Sequence, residues 1–256
     1  MSLPERPSPK GKRVSLFVTC IIDMIYPDVG MNVVDILEHL GVDVDFPQDQ
    51  TCCGQPGYNS GYRSDAKEVA MHFLRVFADA EVIVTPSGSC AAMVRHEYLT
   101  LFKDDPVWLP HAQRAASITW EFTEFIVNGL GVTDLKLRLP QPQTFALHDA
   151  CHGLRILGLK SEARTLLGSV ENATVEELKD ADSCCGFGGL FSVKLPDVSG
   201  AMLQKKVDCI DECSAATIVT GDTSCMTQMN GGLSRQKSGK RVRHIAAVLA
   251  EGLHKS

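Results

Sequence analysis

Short apolar runs alternate with amphipathic stretches along most of the chain. In the first half, strands are predicted over residues 14–19, 42–46 and 82–85, and helices over 33–40, about 64–79, 91–101 and about 117–130. In the second half, strands are predicted over 145–148, 173–177 and 216–220, and helices over about 160–167, 196–213 and 242–253. Short apolar strands that alternate with helices are typical of an α/β protein with mostly parallel sheets.

A cysteine pattern occurs once in each half. It consists of a single cysteine, an adjacent Cys-Cys pair followed by glycine, and a last cysteine. Its members are Cys20, Cys52, Cys53 and Cys90 in the first half, and Cys151, Cys184, Cys185 and Cys225 in the second. Matching spacings in two halves of one chain indicate two copies of one unit, each of which gathers four thiols.

The repeat predicts two pseudo-symmetric, Rossmann-like α/β lobes, each with one cysteine cluster. We expect a disordered tail at residues 1–12, a first domain at 13–134, a linker near 135–143 and a second domain at 144–253. The single and last cysteines of each copy follow predicted strands directly. Because open α/β sheets carry ligands at the carboxyl ends of their strands, we expect the clusters there.

Composition narrows the class of protein. The 256 residues are 44% hydrophobic and 22% charged, which fits a soluble globular protein, and the formal net charge of −6 argues against nucleic-acid binding. No apolar run reaches the roughly 18 residues of a membrane span. The N-terminus lacks the apolar segment of a signal peptide, so a cytoplasmic location is expected. In that reducing compartment, ten cysteines favour metal or redox chemistry over disulfides.

The adjacent cysteines need a turn in the backbone. Neighbouring side chains of an extended strand point to opposite faces, and Gly54 or Gly186 supplies the φ freedom that lets both sulfurs face one group. An all-thiolate site selects zinc or an iron–sulfur cluster over hard cations. Buried core cysteines are the alternative. Cys209 and Cys213 lie outside the duplicated pattern, in a predicted helix, and are assigned to core packing.

The two cysteine patterns resemble the cysteine-rich CCG domain family, over essentially the whole chain beyond the tail. This family includes the cysteine-rich subunit of heterodisulfide reductase, the iron–sulfur subunit of glycolate oxidase and the lactate utilization A group. The chain is most similar to the lactate utilization group in the segments 85–93, 148–152, 184–191 and 221–225. It lacks the ferredoxin-type cysteine motif that sets the glycolate oxidase subunit apart.

The resemblance implies a subunit of an oxidoreductase that does not act alone. Such a subunit takes part in the conversion of L-lactate to pyruvate with a ferredoxin-type iron–sulfur companion and a third lactate utilization protein. It implies that the eight cysteines hold one [4Fe–4S] cluster per repeat. A zinc-stabilised scaffold subunit of the same assembly is the alternative, and zinc is the alternative metal.

The number of cysteines per repeat is four here and differs from that of one relative. The cysteine-rich subunit of heterodisulfide reductase has five cysteines per repeat, with a Cys-x2-Cys at the end of each. Here Ser87 and Asp222 stand three residues before the last cysteines, and Met93 and Gln228 stand three residues after them. A disulfide-reducing subunit is therefore the less favoured alternative.

His148 and His152 flank Cys151 and are weak candidates for a catalytic role. Either could orient or replace a ligand or accept a proton, and a hydrogen-bonded loop histidine is the alternative interpretation. Neither has a counterpart around Cys20, so the second lobe is the better candidate for catalysis.

Overall fold

The computed structural model describes residues 3–253 and contains two sheets of four parallel strands. The first sheet consists of β1 (Val14–Leu16), β2 (Val44–Asp45), β3 (Val82–Thr85) and β4 (Thr119–Glu121). The second consists of β5 (Arg138–Leu147), β6 (Glu171–Glu177), β7 (Thr217–Thr220) and β8 (Arg241–His244). The strand orders are β2-β1-β3-β4 and β6-β5-β7-β8, so the two sheets have one topology. The prediction of two pseudo-symmetric α/β lobes is confirmed.

Helices connect the strands in both lobes. The first lobe contains α1 (Cys20–Ile25), α2 (Pro27–His39), α3 (Gln55–Asn59), α4 (Arg63–Val76), α5 (Gly88–Ala92), α6 (Tyr98–Leu101), α7 (Leu109–Ile118) and α8 (Phe122–Glu124), with π-helical turns at Met93–Glu97 and Phe125–Leu130. The second contains α9 (Cys151–Arg155), α10 (Glu162–Gly168), α11 (Phe191–Lys194), α12 (Pro196–Glu212), α13 (Thr223–Arg235) and α14 (Ile245–Glu251).

The two lobes share one hydrophobic core. α2 of the first lobe packs against α14 of the second, and buried side chains from both sheets join in a single cluster that includes Val33, Phe122, Phe145 and Val248. Each lobe has a second cluster on the opposite face of its sheet. β3 and β7 are buried along their whole length, as expected for central strands with helices on both faces.

Three sequence-based element assignments are wrong. Residues 117–130 contain the end of α7, strand β4 and α8 instead of one helix, and 242–253 begin with β8 before α14. The segment predicted as a linker already belongs to β5, which starts at Arg138 and pairs with β6 across a register shift. Each missed strand is three or four residues long and passes directly into a helix.

The N-terminal segment differs from the disordered tail that its composition predicts. Arg6 donates hydrogen bonds to Glu124 Oε1 at 2.5 Å and to the Thr119 carbonyl at 2.9 Å, and its guanidinium lies 3.3 Å from the centre of the Trp120 ring. Pro9 is buried. Residues 3–12 therefore lie against the first lobe, while residues 1 and 2 of the predicted tail fall outside the described residues. The domain boundaries themselves stay a prediction.

Candidate metal centres between the two lobes

The carboxyl ends of the strands bring the predicted cysteines together. Cys20 opens α1 after β1 and Cys151 opens α9 after β5, while Cys90 and Cys225 lie in the first turns of α5 and α13, after β3 and β7. The Cys-Cys pairs follow the edge strands β2 and β6. This arrangement results from the parallel sheets, which place the ends of successive strands at one edge.

The four thiols of the first lobe form a continuous series of contacts. Cys53 Sγ lies 3.4 Å from Cys90 Sγ, and Cys52 accepts hydrogen bonds from Cys20 and Cys53. The backbone N–H of Gly54 donates to Cys52 Sγ at 3.4 Å. These hydrogen bonds, from Cys20 first and then Cys53, hold the pKa of Cys52 well below that of an ordinary thiol. One sulfur of the group is thus a strong thiolate, the form that binds metals.

The second lobe repeats this geometry. Cys185 Sγ lies 3.2 Å from Cys225 Sγ, and Gly186 N–H donates to Cys184 Sγ at 3.4 Å. The hydrogen bonds from Cys151 and Cys185 lower the pKa of Cys184, just as their counterparts lower that of Cys52. All four sulfurs again contact one another in series. The duplication in the sequence therefore becomes a duplication of the site.

A left-handed glycine turns each Cys-Cys pair toward the site. Gly54 and Gly186 both have φ of 85°. A Cβ on Gly186 would lie 2.6 Å from the Ser199 carbonyl oxygen, so close packing as well as φ requires glycine there. The expected turn at the pair is present in both lobes.

The two sites adjoin one another. The cleft of the first lobe is lined by all four of its cysteines, and that of the second lobe by its own four. Both clefts are also lined by the same residues of the lobe interface, namely Gln55, Ser89, Phe187, Gly189 and Ser224. Groups bound in the two clefts would therefore be neighbours.

The donor set fits a soft metal centre. Four sulfurs and no oxygen ligands suit zinc or an iron–sulfur cluster. Within residues 3–253, the only three potential ligand atoms that all lie within 4.8 Å of one another come from His148, Cys185 and Cys225. The four thiols of either lobe are therefore not all within 4.8 Å of one another. The closest sulfur pairs, at 3.4 Å and 3.2 Å, are nearer than the roughly 3.8 Å between sulfurs around one tetrahedral zinc with a Zn–S distance of about 2.3 Å.

His148 is part of the second site, whereas His152 lies at its edge. His148 is 3% exposed, and neither ring nitrogen makes a hydrogen bond of normal geometry. Burial first, and the nearby Lys206 second, lower the pKa of His148 to about 3, so the ring is neutral at pH 7. His152 Nδ1 lies 3.6 Å from Cys151 Sγ. The catalytic role of His148 and His152 stays a prediction.

Two residues at the site carry signals that the sequence analysis did not use. Lys206 is fully buried below the second site, although it shares the apolar face of α12 with Leu203, Val207 and Ile210. The helical spacing of Lys206 from these apolar residues could have identified it as a buried lysine. Asp222 caps α13 and accepts hydrogen bonds from the other lobe, which a single sequence does not reveal.

The two lobes and their paired thiol sites define a duplicated cysteine-rich α/β protein. The model of the cysteine-rich CCG domain matches residues 14–95 and 145–230. The chain belongs to this family.

Curated relatives of the chain carry one name. The chain is 48% identical over 242 residues to lactate utilization protein A of Exiguobacterium sp. (strain ATCC BAA-1283 / AT1b). This alignment covers 94% of the chain and 98% of the relative. The chain is 45% identical over 243 residues to lactate utilization protein A 1 of Bacillus anthracis (strain CDC 684 / NRRL 3495), over 95% of this chain and 100% of the relative. These alignments extend over nearly the whole of both chains.

A solved structure has a similar fold. The crystal structure of a hypothetical protein from Helicobacter pylori superimposes with a TM-score of 0.63 at 9% identity, over 100% of this chain. This chain spans about half of that structure's length (52%). Within residues 3–253 no helix combines the length and the apolar character needed to cross a bilayer.

Proposed function

We propose that the chain is the iron–sulfur redox subunit of an assembly that oxidises L-lactate to pyruvate. The duplicated set of four thiols, placed in two adjoining clefts between the lobes, carries this proposal. The name of the relatives, lactate utilization protein A, suggests the reaction. Oxidation of lactate to pyruvate releases two electrons, which the assembly must pass to an acceptor. An iron–sulfur cluster supplies one-electron redox chemistry, which zinc does not.

Each lobe would hold one [4Fe–4S] cluster through its four cysteines. Each set consists of four sulfurs, and the backbone N–H groups of Gly54 and Gly186 already point at sulfur. Hydrogen bonds of this kind stabilise thiolates and tune a cluster. The chain's residues thus bind, shield and polarise the group.

The partners follow from the reaction. A chain with two thiol sites and no assigned lactate site needs companions, and we propose a ferredoxin-type iron–sulfur subunit and a third lactate utilization protein. All ten cysteines are free thiols, which fits the reducing cytoplasm that we propose as the location.

Iron and acid-labile sulfide analysis of anaerobically purified protein tests the cofactor. We expect about eight iron and about eight sulfide per chain, and roughly half of each in Cys20→Ser or Cys151→Ser. Cys209→Ser is the control, because Cys209 is buried more deeply than Cys20 or Cys151 but lies outside both sites. It should retain the full content. Stoichiometric zinc without sulfide would overturn the proposal.

A zinc site in the second lobe is the other candidate that an observation favours. His148, Cys185 and Cys225 are as close together as ligands of a single ion. In that case Cys185→Ser or His148→Phe would remove zinc, and the purified protein would be colourless. The first lobe, where Phe17 stands in place of the histidine, has no equivalent triad among the described residues.

Disulfide reduction receives no support from the site. The one additional cysteine of each repeat in a disulfide-reducing relative would stand at Ser87 or Met93 in the first lobe and at Asp222 or Gln228 in the second. Ser87 donates a hydrogen bond to Asp222, Met93 is fully buried, and Gln228 donates to Ser199. These side chains are engaged in packing and in hydrogen bonds.

A further inference from the structure

The two sites differ in the residue that follows the first central strand. Phe17 in the first lobe and His148 in the second have equivalent backbones, since each N–H donates at 2.9 Å to the third strand, at the carbonyl of Val84 or Val219. Each side chain is buried. A phenyl ring thus occupies in one lobe the place of an imidazole in the other.

A second pair of equivalent positions also differs between the lobes, Phe73 in the first and Lys206 in the second. The glycine of each Cys-Cys pair packs against a backbone carbonyl of the following long helix, that of Ala66 in α4 or Ser199 in α12. Phe73 and Lys206 each lie seven residues after that contact and are therefore equivalent. Phe73 is 2% exposed and Lys206 is 0% exposed.

In the first lobe the exchanged pair is apolar. Phe17 and Phe73 pack edge to face, with ring centres 4.9 Å apart, in the same core cluster as Cys53 and Cys90. Neither ring carries charge or a hydrogen-bond donor toward the sulfurs. The surroundings of the first site on this side are therefore neutral and apolar.

In the second lobe the pair is cationic and polar. Lys206 Nζ donates to the carbonyls of Asp180 at 2.6 Å and Ala181 at 3.4 Å, which are neutral acceptors. The carboxylates of Asp180 and Asp182 lie near enough to offset part of its charge. A ring nitrogen of His148 lies within 4.8 Å of Cys185 and Cys225 Sγ. The imidazole has two nitrogens without partners, and its N–H can donate to sulfur.

Electrostatics gives this difference a consequence. One-electron reduction adds one negative charge to a thiolate-bound centre and needs no proton. A buried positive charge and an N–H donor beside the sulfurs stabilise that added charge, and low effective dielectric strengthens the effect. The Asp222 carboxylate acts on Cys225 in the opposite direction, but three hydrogen-bond donors already stabilise its charge. Net charge and hydrogen bonds to sulfur are the protein's means of setting an iron–sulfur potential.

We propose that Lys206 and His148 make the second site the easier of the two to reduce, so that it has the higher midpoint potential. This inference rests on the proposed function, because it requires redox-active centres in both lobes. Lys206 and His148 are positioning residues: they act on the centre through its surroundings and leave the four cysteines in place.

Redox titration with dithionite under anaerobic conditions, followed by electron paramagnetic resonance, tests the proposal. Cys20→Ser and Cys151→Ser assign each signal to a lobe. We expect Lys206→Met to lower the midpoint of the second centre and to leave the first unchanged. Lys205→Met is the matched control, since Lys205 lies on the same helix with its side chain 68% exposed, and it should shift neither.

A double variant gives the second site the two side chains that the first site has at the equivalent positions, Phe17 and Phe73. His148→Phe with Lys206→Phe should bring the two midpoints together. Lys206→Gln, which keeps a donor for the Asp180 carbonyl, replaces Lys206→Met if that variant does not fold. Equal midpoints in the unaltered protein, or a second midpoint unmoved by Lys206→Met and Lys206→Gln, would overturn this inference alone. Zinc-loaded protein without sulfide would overturn the proposed function instead.

Discussion

Ser87 donates a hydrogen bond from Oγ to Asp222 Oδ2 at 3.2 Å, across the boundary between the lobes. The same carboxylate oxygen accepts from the backbone N–H of Ser89 at 2.9 Å, and Oδ1 accepts from Ser224 N–H at 3.0 Å. Asp222 is 1% exposed. A buried carboxylate with three donors therefore connects the turns that lead to Cys90 and Cys225.

Asp222→Ala should weaken the junction of the lobes. Its removal leaves buried donors on Ser87, Ser89 and Ser224 without an acceptor, and we expect a loss of about 2–4 kcal/mol in the free energy of unfolding. Denaturant titration of anaerobically purified protein measures this loss. Asp35→Ala, at an exposed position of α2, is the control and should leave the midpoint nearly unchanged. Equal midpoints for the two variants would contradict the role of Asp222.

Gly186→Ala should destabilise the second site through its backbone. The left-handed φ costs an alanine roughly 1–2 kcal/mol, and the 2.6 Å approach to the Ser199 carbonyl adds steric strain. We expect a lower unfolding midpoint and loss of iron from the second lobe, with the first lobe's content retained. Gly54→Ala should cost less, because its nearest contact is 3.3 Å.

Gly200→Ala is the matched control for Gly186→Ala. Gly200 lies in α12 with open space around its Cβ position, so alanine should stabilise the helix by about 0.5–1 kcal/mol. If both substitutions changed the midpoint in the same direction, the strained turn at the Cys-Cys pair would not be the cause.

The cysteine spacing predicted which thiols come together better than the apolar pattern predicted the strands. The eight cysteines from Cys20 to Cys225 come together because each repeat forms a parallel sheet, which places the carboxyl ends of its strands at one edge. β4 and β8 were missed because each is too short to show a period of two beside the helical spacing that follows. Arg241-Val-Arg-His244 does alternate, and its buried positions are Val242 and His244.

Other features could not be predicted because they depend on contacts between distant segments. The N-terminal residues have the composition of a tail, yet Arg6 finds Glu124 and Trp120 more than a hundred residues away. His148 was expected at the second site, but the charge of Lys206 beneath it depends on how α12 packs. A comparison of the two repeats at Phe73 and Lys206 would have exposed this exchange.

His244 should make the fold sensitive to acid. It accepts from Ala246 N–H at 3.2 Å and lies 3.0 Å from the Pro86 carbonyl of the first lobe. Burial, the largest cause, lowers the pKa of His244 to about 4, against about 6.5 in the unfolded chain. Below pH 6.5 the unfolded chain therefore binds a proton that the folded chain does not. Stability falls from pH 6.5 toward pH 4, by about 3 kcal/mol in total.

The difference between unaltered protein and His244→Asn isolates this contribution. Burial raises the pKa of Glu121 to about 7, against about 4.5 in the unfolded chain. Between these values the folded chain holds a proton that the unfolded chain has released, so this contribution to stability falls as pH rises, with the opposite sign. His148 acts in the same direction as His244, and both Glu121 and His148 remain in the variant. Denaturant midpoints at several pH values should show a shallower acid loss in His244→Asn, and an unchanged one in the exposed-site variant His111→Asn. Parallel curves for all three proteins would exclude His244 as a source.

The buried ion pair of Glu124 should be the most costly contact of the first lobe to disrupt. Arg95 Nη1 lies 3.1 Å from both oxygens of Glu124, and these side chains are 8% and 7% exposed. Glu124→Ala leaves the Arg95 guanidinium buried without a carboxylate, which costs about 3–5 kcal/mol. Replacing both partners, by Arg95→Met with Glu124→Leu, should cost less than Glu124→Ala alone. The buried charge of Arg95 is then removed with its partner, and only Arg6, whose side chain is 18% exposed, loses a carboxylate. Glu212→Ala, which breaks the exposed pair with Lys179, should leave the denaturation midpoint unchanged. If the double variant were the least stable of the three, hydrogen bonds that Glu124 makes to Arg6 and to the Glu121 backbone would dominate over the buried charge.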